Sequence, residues 1–151
     1  MLYGNFVIQG FNNNGCFDPN ARDNCCASFI ALRNALINEN IEINTRDLNK
    51  NKKISFEIHI DKQEEELSNI PTFLLLWETS NVRPRNAKVD KKKYNQVYSW
   101  DDSLVSSEKY KKFYLPVTNN LISDFPQFHE RQGFCCAISS NKAPQKQYKK
   151  D

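Results

Sequence analysis

A nearly unbroken apolar run, Thr72-Phe73-Leu74-Leu75-Leu76-Trp77, ends in Glu78 and is soon followed by the basic, proline-punctuated stretch Val82-Arg83-Pro84-Arg85-Asn86. A run so short and so uniformly apolar suits a strand covered on both faces, as strands inside parallel sheets are. In open α/β sheets ligands gather outside the carboxyl ends of the strands. A carboxylate delivered there by a buried strand is well placed for chemistry, which makes Glu78 the first candidate functional residue.

The rest of the chain supplies compatible elements. Gly4 to Gln9 is expected as an edge or first strand, and Phe11 to Asn20, rich in Asn, Gly, Asp and Pro, reads as a loop. Asp23 or Asn24 can cap a helix with an apolar stripe at Phe29, Leu32, Leu36 and Ile37, ending near Asn38 to Asn40. Ile41 and Ile43 begin a short strand, and Asn49 to Lys53 reads as a loop. Ile54, Phe56, Ile58 and Ile60 alternate with Ser55, Glu57 and His59, the pattern of a strand with one exposed face. Lys62 to Ser68 is helix-compatible, Tyr94 to Trp100 returns as a strand, and Leu104 to Lys112 is expected to make a helical turn or two. Tyr114 to Val117 reads as a short extended piece, Phe125 to Arg131 as an irregular connection, and Phe134 to Ile138 as a final strand before the turn Ser139-Ser140-Asn141-Lys142. This alternation predicts an α/β fold around a mainly parallel sheet of about five or six strands.

Length and charge narrow the function classes. With 151 residues the chain is long enough for one ordinary domain and too short for two full ones. Its net charge of +3 comes from interspersed residues, so long-range attraction to nucleic acid or membrane is expected to be weak. The exception is the basic end, Lys142, Lys146, Lys149 and Lys150. No stretch reaches the roughly 18 apolar residues of a membrane span, and Met1 to Gln9 lacks the pattern of a signal peptide. A cytoplasmic location, peripheral to a membrane at most, is the expectation. The five cysteines, Cys16, Cys25, Cys26, Cys135 and Cys136, show no metal-binding spacing and are expected to be reduced and mostly buried.

Each candidate constellation has a plain structural counterpart. Glu78 can act as a general base if a partly apolar cleft raises its pKa, or it can be a surface acid paired with Arg83 or Arg85. Arg83, Arg85 and Asn86 offer donors suited to sugar hydroxyls, carboxylates or phosphates, or else a solvated loop. Trp77 and Trp100 can stack on a sugar ring or sit in the core. His59 with Asp61, or Asp101 with Asp102, lacks a third ligand at plausible spacing, so no metal site is expected. Ser140, Asn141 and Lys142 can open a phosphate-binding turn or simply lead from a strand into the tail.

Taken in order, Ala21-Arg22-Asp23-Asn24, Ile41 to Leu48, Phe56 to Asp61, Leu75-Leu76-Trp77-Glu78, Val82 to Asn86, Tyr94 to Val105 and Phe134 to Lys142 resemble the amino-terminal half of glycosyltransferases of family 10, the α-1,3/4-fucosyltransferases. The resemblance covers Ala21 to about Tyr148. It implies the GT-B architecture of two Rossmann-like domains, with a glycan acceptor of the lipopolysaccharide type on the first and GDP-fucose mainly on the second. On that basis residues 1–132 are expected to form a Rossmann-like acceptor-side domain, and residues 133–151 the first strand and turn of a truncated donor-binding domain with a basic tail. The resemblance makes Glu78 the catalytic base and leaves Ser140, Asn141 and Lys142 as remnants of the donor turn, and Arg83, Asn86 and Trp100 are the residues expected in the acceptor cleft. It implies a missing carboxyl-terminal donor domain or a partner chain, and little transfer by this chain alone. A non-enzymatic module binding glycan or protein through the same cleft is the alternative.

Overall fold

The computed structural model describes residues 1–21, 24–65, 67, 69–105, 108–116 and 127–133. Met1–Thr118 forms one compact unit and Asn119–Asp151 another. Every element discussed below belongs to the first, apart from the 3-10 turn Phe128–Glu130, which closes with a reciprocal capping box between Gln127 and Glu130. Among the described residues no helix is long and apolar enough to cross a membrane.

The first unit is an α/β structure built on six parallel strands. In chain order these are β1 (Leu2–Val7), β2 (Ile41–Thr45), β3 (Phe56–Ile60), β4 (Thr72–Leu76), β5 (Gln96–Ser99) and β6 (Tyr110–Lys112), with α1 (Ala27–Asn38) between β1 and β2. The order across the sheet is β2-β1-β3-β4-β5-β6, every neighbouring pair parallel. The chain therefore runs outward from β1 to β2, returns across β1 to β3, and then advances strand by strand. The place where direction reverses, between β1 and β3, is the topological switch point.

Each face of the sheet has its own core. Phe6, Ile43, Ile58 and Ile60 pack with Cys16, Phe17 and Phe29 beneath α1. The opposite face gathers Leu74, Leu76, Tyr94 and Val97, with Leu67, Val89, Leu104 and Tyr110 from the connections laid over them. This division is what right-handed crossovers require: reversing the direction of travel across a sheet moves the connection to the other face. Gly4 permits the close packing of β1 on β3, because a Cβ there would lie 2.4 Å from the Phe56 ring.

Several expected elements take a different form. The first strand begins at Leu2, and α1 has Cys26 at its N-cap with no side-chain cap, while Asn24 is left-handed at φ 54°. Asp23 lies outside the described residues. Ile37 is 47% exposed and drops out of the helix stripe, which is carried by Phe29, Leu32 and Leu36. Asn40, at φ 61°, closes the helix in the left-handed conformation that Asn tolerates. The described residues of Lys62 to Ser68 are not helical, and the segment expected as a helical turn ends instead in β6, at the edge of the sheet. The expected strand Phe134 to Ile138 lies outside the described residues.

The largest departure concerns β3. Its polar face was expected in solvent, yet Glu57 is 2% and His59 1% exposed. Both carboxylate oxygens of Glu57 are occupied. Oε1 accepts from Asn5 Nδ2 at 2.9 Å and Arg46 Nε at 3.0 Å, and Oε2 accepts from Arg46 Nη2 at 2.7 Å and lies 2.9 Å from His59 Nε2. Asn49 extends the network by donating to Asn5 Oδ1 and to the Gly4 carbonyl, each at 3.0 Å. Burial alone would push the Glu57 carboxyl up, but the hydrogen bonds from His59, Arg46 and Asn5 and the Arg46 charge overcome it and hold the group below the usual carboxylate range.

Candidate functional site at the carboxyl edge of the sheet

Two adjoining crevices open along the carboxyl ends of the strands, and Glu78 lines both. The first, of about 250 Å³, lies over the switch point: Ile8 and Gln9 follow β1, Ile60 and Asp61 end β3, Trp77 and Glu78 follow β4, and Cys25, Cys26 and Phe29 come from the start of α1. Lys62, Gln63 and Arg83 complete its polar wall. The second, of about 200 Å³, lies over β4 and β5 and is bounded by Thr79, Ser80, Asn86, Ser99, Trp100 and Asp101.

The Glu78 side chain stands apart from its basic neighbours. Arg83 Nη1 donates to Gln9 Oε1 at 2.6 Å, and Arg85 pairs with Glu64. Among the described residues no hydrogen bond or ion pair reaches the Glu78 carboxylate. The plain reading of Glu78 as an acid spent on Arg83 or Arg85 is therefore not what the fold builds.

Its backbone, by contrast, is firmly held, and the holder is Asp61. Asp61 Oδ1 accepts from Trp77 N at 2.8 Å, Glu78 N at 3.0 Å and Asn86 Nδ2 at 2.8 Å, joining the ends of β3 and β4 to the 3-10 turn Pro84–Lys88. Asp61 itself is 7% exposed and left-handed at φ 60°, a conformation costly for most residues and tolerated best by Asn, Asp and Gly. Asn86 completes the bracket. Its Nδ2 also donates to the Glu78 carbonyl at 2.8 Å, and its Oδ1 accepts from Lys62 N at 3.0 Å. Asn86 thus lines the second crevice with its amide engaged inside the protein.

The tryptophans frame the crevices. Trp77 packs against Phe29 at 5.0 Å and Phe113 at 6.1 Å between ring centroids and forms part of the first crevice. Trp100 donates from Nε1 to the Trp77 carbonyl at 3.1 Å, which fixes its ring orientation at the second. Beside it, the Asp101 carboxyl is held below its usual range by hydrogen bonds from the Ser103 hydroxyl and amide. Burial pushes the Cys16 thiol up to about 12 and the Cys26 thiol to about 11, whereas Cys25 is exposed at the crevice.

Of the residues singled out in the sequence, Glu78, Arg83, Asn86 and Trp100 come together along this edge. Ser140, Asn141 and Lys142 lie outside the described residues. Gln9 and the bracketing role of Asp61 were not legible, although Asp61 carries the same signal as Glu78, an acid just after an apolar strand. No group of three or more His, Cys, Asp or Glu side chains suited to a metal ion occurs among the described residues. Comparison with known proteins yields no significant match to a family model, to a curated protein or to a solved structure.

Proposed function

We propose that this edge is the acceptor-binding face of a sugar transferase of the α-1,3/4-fucosyltransferase type, the amino-terminal half of a GT-B enzyme, with Glu78 as its general base. The observation that carries the reading is a carboxylate without a hydrogen-bond or ion-pair partner among the described residues, held by its backbone at the carboxyl end of a parallel strand and shared by two crevices. In this reading Glu78 takes the proton of an acceptor hydroxyl, and the oxygen attacks the anomeric carbon of fucose with inversion. The bond from that carbon to the diphosphate breaks and GDP leaves. Arg83 and the Trp100 ring contact the glycan, and Asn86 keeps the Glu78 backbone in place. Ser140, Asn141 and Lys142 are assigned to the donor side from sequence resemblance alone.

The test is a transfer assay with GDP-fucose and lipopolysaccharide-derived oligosaccharide acceptors on this chain, alone and joined to a family donor domain. Glu78→Gln should lower turnover by about a hundredfold or more while leaving GDP-fucose affinity nearly unchanged. Wild-type turnover in that variant would remove the base assignment.

A second reading, a non-enzymatic module that docks on another protein, draws support from an apolar groove of about 340 Å³ lined by Leu32, Leu36, Phe56, Phe73, Tyr98 and Phe113. Absence of glycan binding, GDP-fucose binding and transfer in both formats, together with a protein partner whose binding is lost on Phe73→Asp in this groove, would favour the module.

A further inference from the structure

We infer that Asp61 is a ligand-contacting residue of the first crevice: one carboxylate oxygen organises the Glu78 backbone and the other accepts a hydroxyl or ammonium donor of the bound molecule. The inference uses the proposed glycan reading for its first probe but stands on geometry that is independent of any transfer reaction.

The two oxygens of Asp61 have unequal surroundings. Oδ1 takes all three donors of the bracket, two backbone N–H groups and the Asn86 amide. Oδ2 receives no hydrogen bond from any described residue and is not among the buried atoms left without a partner. The residue as a whole is 93% buried, and it lines the first crevice. A purely structural bracket needs one acceptor oxygen, which an Asn side chain at the same left-handed position also supplies, with weaker bonds than a carboxylate makes. The second oxygen, negatively charged and fixed by its sibling's three hydrogen bonds, is preorganised to receive a donor from the crevice.

Glu78 lines the same crevice with its carboxylate unpartnered among the described residues, and its backbone N–H is bonded to Asp61 Oδ1. The crevice therefore presents two acceptors whose relative placement is set by a short covalent and hydrogen-bonded path. Opposite charge enters through Lys62 and Arg83, the latter held by Gln9. The ligand class that satisfies this wall is a polyol or amino-polyol. Adjacent donors reach Asp61 and Glu78, and an apolar flank rests on Phe29 and Trp77.

The experiment compares the whole wild-type chain with Asp61→Asn, which keeps the left-handed conformation and an acceptor for the bracket while removing the charge and the free acceptor oxygen. Binding is read by carbonyl-detected NMR at the Asp61 carboxyl carbon and at the Trp77 and Glu78 amides, with methyl glycosides, their singly deoxygenated analogues, and the amino-triol Tris as probes. The expected result is a displaced Asp61 carboxyl resonance on binding and a weakening of about tenfold to a hundredfold in Asp61→Asn. That loss should disappear for the one deoxy analogue lacking the hydroxyl that Asp61 receives.

Glycoside binding that leaves the Asp61 resonance and the variant's affinity unchanged overturns the inference and spares the glycan reading. Binding of Tris alone, sensitive to Asp61→Asn, upholds the inference and removes the glycan reading. No binding of any probe at this crevice overturns both. Should Asp61→Asn fail to fold, the Asp61 carboxyl shift in the wild-type chain decides the matter unaided.

Discussion

Replacing Glu57 by Gln is the sharpest probe of how this sheet is held together. In the native protein the carboxylate receives hydrogen bonds from Asn5 and twice from Arg46, and contacts His59 Nε2, with its side chain only 3% exposed. Gln offers one oxygen in place of two and turns an NH2 toward the Arg46 and His59 nitrogens. At least one Arg46 bond is lost, and the guanidinium is left beside an amide of the wrong polarity. Arg46 retains its exposed partner Glu65, and at 32% side-chain exposure it recovers part of its hydration. Breaking a buried ion pair from one side costs about 3–5 kcal/mol, so the relief at Arg46 places this variant near the lower end, about 3 kcal/mol. Against a typical domain stability of about 5–15 kcal/mol, that is a large fraction. With urea m values of about 1–3 kcal/mol/M, the unfolding midpoint should fall by about 1–3 M.

The same residue predicts a pH dependence. The folded carboxyl is depressed below its unfolded range, so its stabilisation is fully present above the unfolded pKa and is lost as pH falls through the folded one. Wild-type protein should lose stability progressively below about pH 5, and Glu57→Gln should lack that part of the slope. Urea titrations at a series of pH values measure both. A loss under about 1 kcal/mol at neutral pH, or an acid slope identical in the two proteins, would refute the claim that this network carries a buried, paired charge.

Three further outcomes follow from named contacts. Leu74 is fully buried, and Leu74→Ala should destabilise the protein by about 2–5 kcal/mol in urea unfolding, because Leu76, Tyr94 and Val97 cannot collapse across a central strand. Gly4→Ala should cost about 1–3 kcal/mol and displace the Phe56 ring toward the apolar groove, visible as altered ring resonances. Alkylation at neutral pH followed by peptide mass mapping should modify Cys25 well ahead of Cys16 and Cys26, whose thiols are buried and held far above neutrality. Equal labelling of the three would contradict the packing of the α1 amino terminus.

The apolar runs marked the strands, and the observed Thr72–Leu76 lies within a residue of the run that announced it. Cover on both faces is incomplete, however: Thr72, Leu74 and Leu76 are buried, while Phe73 and Leu75 are only partly buried and line the apolar groove. The placement of Glu78 was equally legible, since it depends only on following such a strand. The helix stripe was read one residue too wide at Ile37, because periodicity marks a face without saying where the packing ends. At β3 the alternation was read correctly and its consequence missed. A polar position means solvent only if no partner arrives, and Asn5 and Arg46 arrive from 52 and 11 residues away.

Local pattern thus determined strand composition, the mainly parallel sheet and the placing of an acid at a strand end. Those properties follow from the period of the side chains and the need to bury them. The tertiary structure alone decided which polar groups meet: that Arg83 and Arg85 turn to Gln9 and Glu64, that Glu57 is buried and paired, and that Asp61 braces the Glu78 backbone. Hydrogen-bond and ion-pair partners are fixed by strand order and register, which bring distant residues within 3 Å, and no local repeat encodes that order.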